Sequence, residues 1–182
     1  GKMCVNGKTY TLKDAPGMQG HIWGTRHAYR WVWAHCNGFK EDSEAVIEAL
    51  SAQLKIGGMV WPTISSIYFR YQGDEYLLNR PVDFFKTRSQ FSLGHWNFEA
   101  QNEHIRLKGS AESSLEEMAG LRYTDPYGDY RYCHNSKVGN IELEIWKPEG
   151  KSWKPIETLT APKCCAIEWV TSQPAPQIVK YV

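Results

Sequence analysis

The stretch that decides the fold is Arg30-Trp31-Val32-Trp33-Ala34-His35-Cys36-Asn37. Side chains alternate between the two faces of a β-strand, so the odd-numbered residues of this stretch share one face and the even-numbered residues share the other. From Trp31 to Asn37 both faces are apolar, and the polar groups lie on the face with the large rings. This pattern is typical of a barrel wall, and it predicts an interior pocket for an apolar molecule, lined by Trp31, Trp33, His35 and Asn37.

The rest of the chain also has the pattern of an all-β protein. Asn6-Gly7 between two alternating segments is a strong signal for a tight hairpin. Further strand-like segments are separated by turn residues, which favours an antiparallel β-barrel of about ten strands, closed enough to hide its edges. Strands are expected at 2–5, 8–12, 28–39, 64–72, 75–80, 91–101, 104–111, 119–124, 130–134, 139–147 and 162–170.

One segment of the sequence, residues 44–56, leaves its secondary structure open. Its alanines, leucines and glutamates have good helix propensity, and Asp42-Ser43 precedes it as a helix cap would. The surrounding β pattern favours a strand instead, because tertiary context often overrides local propensity. We favour the strand and keep the helix as the alternative.

Composition and charge limit the function classes. The chain has 182 residues, of which 42% are hydrophobic and 23% charged, as expected for one globular domain. We place a barrel domain at 1–173 and a C-terminal tail at 174–182, where Pro174-Ala175-Pro176 interrupts the pattern. The net charge of +1 gives no field to attract nucleic acid or an anionic membrane. No apolar run approaches the length of about eighteen residues that a membrane span needs, so stable membrane insertion is not expected.

The cysteines and histidines predict neither a disulfide nor a metal site. The five cysteines are an odd number without a CxxC pair, which favours a reducing, cytoplasmic location. His21, His35 and His95 lie in different elements without the close spacing of metal ligands, so we expect no metal. Nothing in the sequence resembles a nucleotide or nicotinamide fingerprint, and we expect no cofactor.

At the level of whole motifs, the chain resembles the tocopherol cyclase family. This family lies in a lipocalin-like superfamily with the carotenoid 1,2-hydratases (hydroxyneurosporene synthases) and the fungal cyclases of intramolecular Diels-Alder reactions. The resemblance is closest at Arg30–Phe39. The order of the matching motifs along the chain makes the resemblance persuasive. The other matching segments are Asn6–Tyr10, His21–Gly24, Tyr68–Tyr76, Gly94–Asn102, Cys133–Ser136, Gly139–Trp146 and Ala166–Glu168.

This resemblance implies a lipocalin-like barrel that holds a hydrophobic isoprenoid, polyene or lipid. Members of the superfamily usually have two such barrels, so the chain resembles either the C-terminal barrel or a single-barrel relative. An N-terminal barrel of the same protein is therefore a possible partner, and its absence would leave apolar surface exposed. His35 stands where tocopherol cyclase has Gln, and Ile22 follows His21 where relatives often have Asn, so the substrate cannot be transferred from the family.

The residues supply what an acid-initiated cyclisation or hydration of an isoprenoid needs. Such a reaction uses an acid beside an alkene and aromatic faces that stabilise positive charge. His35 and Glu168 are the candidate catalytic acids, since Glu168 is a carboxyl group in an otherwise apolar strand. The candidate substrate-binding residues, several of them in the matching motifs, are Trp23, Trp31, Trp33, Asn37, His95 and Trp96.

A non-enzymatic function remains open beside the enzyme. A carrier that sequesters an isoprenoid needs the same apolar cavity and no acid. The sequence therefore predicts either a cofactor-independent cyclase or hydratase, with acid catalysis in the barrel lumen, or a lipocalin-type carrier, because function resides in the site rather than in the fold.

Overall fold

The structure is a computed structural model that describes residues 1–15, 17–21, 27–176 and 181. It is built almost entirely from β-strands, with one short helix and a 3-10 turn at Leu115–Glu117. The elements are β1 (Lys2–Val5), β2 (Lys8–Thr11), β3 (Arg30–Cys36), β4 (Val46–Gln53), β5 (Lys55–Ile56), β6 (Met59–Val60), β7 (Ile64–Tyr71), β8 (Asp74–Leu78), α1 (Pro81–Phe84), β9 (Arg88–Ser92), β10 (His95–Gln101), β11 (Arg106–Glu112), β12 (Ala119–Thr124), β13 (Tyr130–Glu149) and β14 (Ser152–Thr171).

Ten strands form one curled antiparallel sheet, in the order β8-β7-β4-β3-β14-β13-β11-β10-β9, with β12 also paired to β13. The prediction of an all-β, lipocalin-like fold with about ten strands is confirmed. The hairpin predicted at Asn6-Gly7 is also present, as β1 and β2, but it forms a separate sheet whose residues are exposed.

The centre of the sheet is a long hairpin made by β13 and β14, each of 20 residues. At the end of the hairpin away from its turn, Glu168 of β14 lies opposite Trp33 of β3. Further along the hairpin, β13 pairs with β11, and the ladder between β13 and β14 is irregular between the two regions, near Gly139. Because bulges of this kind bend a strand, this hairpin carries the curl of the sheet.

The concave side of the curled sheet holds the main core. Val32, Ala34 and Cys36 of β3 are 0% exposed and belong to it. The large side chains come from other strands, among them Phe69, Trp96, Phe98 and Trp169. The predicted orientation of β3 is therefore wrong by one residue. Small residues are needed on its concave side because the rings of distant strands already fill that space.

Side-chain contacts connect strands that are not neighbours in the sheet. The edge strands are β8 and β9, and the described ladders do not join them. Instead, the Asn102 amide after β10 donates to the Leu77 carbonyl of β8 at 3.3 Å. The Arg80 guanidinium lies 2.6 Å from Glu103, which is in the turn between β10 and β11. The Tyr71 hydroxyl of β7 donates to Glu157 of β14 at 2.5 Å. These contacts tie β8 and the residues after it to the turn between β10 and β11, and β7 to β14, across the curled sheet.

Several element boundaries differ from the sequence predictions. The ambiguous segment contains a strand, β4, so the favoured alternative is confirmed. A turn at Leu93-Gly94 divides the predicted strand 91–101 into β9 and β10, and the segments 130–134 and 139–147 are one continuous strand. The short β5–β6 hairpin was not predicted. No helix in the described part of the chain is long and apolar enough to cross a bilayer.

The C-terminal segment contacts the sheet at the places where the structure describes it. Tyr181 forms a bridge with Gly120 of β12, and its hydroxyl lies 2.8 Å from His134 Nε2. The His134 Nδ1–H donates to the Trp169 carbonyl at 2.9 Å, so Nε2 is the acceptor and the Tyr181 hydroxyl donates to it. Burial lowers the pKa of His134, which favours this neutral form. The division into 1–173 and 174–182 stays a prediction.

Gly109 provides a test of the core packing. A Cβ at this position would lie 2.1 Å from Phe98 Cζ, because the Phe98 ring covers the opposite residue of the neighbouring strand. We expect Gly109→Ala to destabilise the protein by about 1–3 kcal/mol, the usual cost of overpacking, in urea unfolding. Gly17→Ala is the control, since a Cβ there meets nothing within 4 Å. An unchanged midpoint for Gly109→Ala would contradict this packing.

Candidate functional site

The candidate site lies on the convex side of the sheet, which we call the outer face. Residues directly opposite each other in a ladder share a face, so each row across β14, β3 and β4 can be read from the pairing. The rows are Val170–Trp31–Ala52, Glu168–Trp33–Leu50 and Ala166–His35–Glu48. The outer face therefore brings together two indoles, an imidazole and two carboxylates on three adjacent strands.

Glu48 holds both His35 and Trp33. The Trp33 Nε1–H donates to Glu48 Oε1 at 2.5 Å, and His35 Nδ1 lies 2.7 Å from Glu48 Oε2. A carboxylate only accepts hydrogen bonds, so His35 Nδ1 carries a proton and Nε2 is the nitrogen left for exchange. The His35 side chain is 12% exposed, and its buried Nε2 has no hydrogen-bond partner among the described residues.

Glu168 has a different environment from Glu48. The Asn135 side-chain amide donates to Glu168 Oε1, and the Lys137 ammonium lies 3.8 Å from the same oxygen. Both partners are donors, so Glu168 acts as an acceptor in this arrangement. Lys137 also lies over the Trp33 ring, 5.5 Å from its centroid, which shows that this indole presents a face to a positive charge.

A small apolar cluster lies next to these polar groups. It contains the buried side chains of Trp31, Ala52, Cys133 and Val170. The His27 ring stacks on Trp31 with the ring centroids 5.6 Å apart. Burial, together with the charge of Glu168, raises the pKa of Cys133 to about 12, so this thiol stays protonated and is a poor nucleophile.

An open cleft of about 790 Å³ lies beside this cluster, at the ends of the strands. His27 is shared between the cleft and the stack on Trp31. The cleft lies between the β5–β6 hairpin and the start of β13, and its walls include Tyr29, Lys55, Arg131 and Tyr132. Its volume is in the range of small-molecule sites, with tyrosine rings and positive side chains in its wall.

The structure brings together only some of the residues predicted from the sequence. Trp31, Trp33, His35 and Glu168 share the outer face, whereas the Asn37 amide donates to the Gly17 carbonyl at 3.1 Å. The other candidates lie elsewhere: His95 is exposed on β10 near Glu112, Trp96 is fully buried in the main core, and Trp23 lies outside the described residues.

The sequence reasoning missed Glu48 and Lys137. Glu48 lies in the segment whose secondary structure was open, and a helix would have placed it on a different face from a strand. The connection between β3 and β4 is also longer than a tight turn, so the sequence does not fix which residue lies opposite His35. A signal existed for Lys137, which lies two residues after Asn135 on the strand beside Glu168.

The chemistry of this site is carried by an imidazole, carboxylates, an amide and an ammonium group. Among the residues that the structure describes, no group of three or more His, Cys, Asp or Glu side chains is arranged to hold a metal. The five cysteines are free thiols, and Cys36 lies opposite Cys165 in the ladder between β3 and β14.

A curled antiparallel sheet around an apolar core, with a site on one side, defines a protein of the lipocalin-like class. Comparison with known proteins narrows this class. A family model described as tocopherol cyclase-like matches residues 1–169, so the chain belongs to the tocopherol cyclase-like family. No solved structure matches the chain at a significant level.

The curated relatives are longer than this chain. An uncharacterized protein of Mycobacterium tuberculosis, found in two strains, is 25% identical over 158 residues, which are 87% of this chain and 46% of the relative. A probable chloroplastic tocopherol cyclase of Oryza sativa subsp. japonica is 24% identical over 156 residues, which are 82% of this chain and 32% of the relative. The chain thus spans less than half the length of these relatives.

Proposed function

We propose that this chain carries the proton-transfer site of a cyclase or hydratase that acts on a hydrophobic isoprenoid. Membership of the tocopherol cyclase-like family supports a cyclase-type function. The observation that carries the proposal is the pair formed by Glu48 and His35, with Nδ1 held at 2.7 Å and Nε2 left unpaired. This arrangement orients one imidazole nitrogen for exchange of a proton, as a general acid requires.

The proposed reaction starts with transfer of the Nε2 proton of the His35 imidazolium to an alkene carbon of the substrate. The carbocation that forms is attacked by a hydroxyl oxygen of the same molecule, in a cyclase, or by water, in a hydratase. A carbon–oxygen bond forms, and the proton released from that oxygen returns to His35 Nε2. The net result is an isomerisation in the first case and addition of water in the second.

Trp33 and Glu168 are proposed to stabilise the positive charge rather than to start the reaction. The indole of Trp33 is fixed by its hydrogen bond to Glu48 and accepts a cation over its face. Glu168 lies opposite Trp33 in the ladder, where a negative carboxylate favours a developing cation. We therefore favour His35 over Glu168 as the acid, because the contacts of Glu168 are with donors.

The isoprenoid chain is proposed to bind along Trp31 and the adjoining cleft. Trp31 lies one row from Trp33 on the same face, and its ring stacks on His27 in the wall of the cleft. The sequence suggested that the chemistry takes place in the barrel lumen. We place it on the outer face instead, because the main core occupies the concave side.

A carrier of the same class of ligand is the second candidate. The cleft of about 790 Å³ and the buried ring of Trp31 serve binding equally well without any acid. The pairing of His35 with Glu48 favours the enzyme, since a carrier of an apolar molecule has no use for an oriented imidazole.

Deuterium incorporation tests the proposed reaction. We expect conversion of a prenylated quinol or polyene in D2O to give a product with one carbon-bound deuterium, because the proton added to the alkene comes from an exchangeable group. Mass spectrometry of the product measures the incorporated deuterium. The control variant is Glu112→Gln, which changes an exposed carboxylate on β11.

The same assay separates the alternatives. A cyclised product without carbon-bound deuterium would exclude acid initiation. Ligand binding seen by tryptophan fluorescence, without conversion of any such substrate, would contradict the enzyme and favour the carrier.

A further inference from the structure

Two cysteines of the main core face each other across the ladder between β3 and β14. Cys36 lies directly opposite Cys165, and opposite residues share a face of the sheet. Both side chains are fully buried in the main core. Directly opposite residues have their Cα atoms about 4.5 or 5.5 Å apart, and both separations lie within the range that a disulfide spans. The two sulfurs can therefore be joined without a rearrangement of the strands.

The other cysteines are placed differently. Cys4 and Cys133 lie opposite residues of other types in their ladders. Cys164 is exposed and lies beside Gly38, where an added Cβ would be 3.2 Å from the Cys164 Cβ. In the ladders that the structure describes, β3 and β14 thus hold the only pair of directly opposite cysteines.

A hydrogen bond between the two side chains makes these thiols unequal. The Cys165 thiol donates to the Cys36 sulfur, which lowers the pKa of Cys36. The same bond, together with burial, raises the pKa of Cys165. The thiolate is the form of cysteine that attacks an oxidant, and a neighbouring thiol can then condense with the sulfenic acid that forms. Cys36 is therefore suited to attack, and Cys165 to resolve the product.

The sheet is interrupted next to the pair. Cys36 is the last residue of β3. On β14, residues 162–164 face the single residue Asn140 of β13, so the ladder bulges directly before Cys165. The bulge ends at Cys164, whose side chain is exposed. Strand ends and irregular ladders open locally more readily than regular ones, and such an opening has to admit only a molecule close to the size of water.

We propose that Cys36 and Cys165 form a peroxide-sensitive site, at which oxidation to a disulfide locks β3 to β14. In the first step, the Cys36 thiolate attacks one oxygen of hydrogen peroxide and the O–O bond breaks. The departing hydroxide takes up the proton that Cys36 has lost, and a sulfenic acid remains. In the second step, the Cys165 sulfur attacks the sulfenic sulfur, the S–O bond breaks, and the hydroxide leaves with the Cys165 proton. Two thiols are oxidised, and the peroxide is reduced to two molecules of water.

The disulfide makes the stability of the fold depend on its oxidation state. The link closes a loop that contains most of the chain, from the end of β3 to β14. A long loop restricts the unfolded chain strongly, while the folded ladder already holds the two residues together. The oxidised protein is therefore harder to unfold than the reduced protein. This effect is independent of the proposed function, because it requires neither a substrate nor His35.

Treatment of the folded protein with equimolar hydrogen peroxide tests the site. We expect the protein to lose two of its five titratable thiols and to regain them in dithiothreitol. Peptide mass spectrometry is expected to find the tryptic peptide with Cys36 joined to the peptide that follows Lys163. That peptide contains both Cys164 and Cys165. The variant Cys164→Ser, which is expected to form the same link, therefore identifies Cys165 as the partner.

Urea unfolding measures the lock. We expect the oxidised wild type to unfold at a higher urea concentration than the reduced wild type, and the increase to disappear in dithiothreitol. Oxidised and reduced Cys36→Ala are expected to unfold at the same urea concentration, and circular dichroism shows whether this variant is folded. The comparison of the wild type before and after reduction decides the question without the variant.

Three results would overturn the proposal. Five free thiols after peroxide treatment would exclude a sensitive site. A link between Cys36 and Cys164, lost in Cys164→Ser, would show that the buried pair does not react. A disulfide between Cys36 and Cys165 that leaves the urea midpoint unchanged would exclude the lock.

Discussion

Replacement of His35 by glutamine is expected to lower turnover of the isoprenoid substrate by roughly a hundredfold or more, the usual scale of a general-acid contribution. Glutamine retains a polar group of similar length that can donate to Glu48, but it cannot transfer a proton at neutral pH. Substrate affinity is expected to change little, because the apolar contacts of Trp31 and Trp33 remain. Steady-state kinetics with a separate binding titration measure the two effects.

Two variants identify the source of that loss. In Glu48→Gln, one amide oxygen must serve two donors, Trp33 Nε1 and His35 Nδ1, so the imidazole loses its fixed tautomer. Nitrogen-15 NMR of His35 reports the tautomer directly, and kcat is expected to fall while affinity is retained. Glu168→Gln is the comparison for the alternative acid. If Glu168→Gln removed activity and His35→Gln did not, the assignment of the acid would be wrong.

Replacement of Trp96 by alanine is expected to destabilise the protein by about 3–5 kcal/mol, as for other fully buried aromatic residues. Trp96 is 0% exposed and packs on Phe98 with the ring centroids 4.7 Å apart. Its indole N–H donates to Ser89 Oγ at 2.9 Å, so Trp96→Phe keeps most of the volume and loses mainly this hydrogen bond, about 1 kcal/mol. Urea unfolding of both variants measures the difference.

The Trp96 variants also decide between the two roles assigned to this residue. The sequence suggested substrate binding, whereas its location in the main core indicates a structural role. Below the unfolding transition, Trp96→Ala is therefore expected to bind an isoprenoid as well as Trp96→Phe does. A stable Trp96→Ala protein with selectively weakened binding would contradict the structural role and restore the prediction from the sequence.

The sequence identified the strand Arg30–Cys36 but not which of its faces meets the core. Alternation groups residues by face, and it names the core face only when one face is polar. Here both faces are apolar, and the choice depends on rings that arrive from β7, β10 and β14. The large indoles of Trp31 and Trp33 suggested the interior, yet the crowded concave side accommodates only the smaller Val32, Ala34 and Cys36.

The candidate site was predictable only in part, for a related reason. His35 was identified because an acid-initiated reaction needs an acid beside aromatic rings, and Glu168 because its strand is otherwise apolar. Their partners depend on strand register. Glu48 lies opposite His35 only because β4 pairs with β3 in one of several possible registers, and Asn135 reaches Glu168 across the long hairpin. Such long-range pairing leaves no local signal in the sequence.

The pairing of β3 with β14 has a consequence for biosynthesis. β4 follows β3 at once in translation and covers one of its edges, but the other edge waits for residues 165–170, which lie opposite Trp31 to Cys36. Until then the nascent chain exposes an unpaired edge beside Val32 and Ala34, the kind of surface that invites aggregation or a chaperone. Completion of the sheet is thus delayed until β14 has been translated.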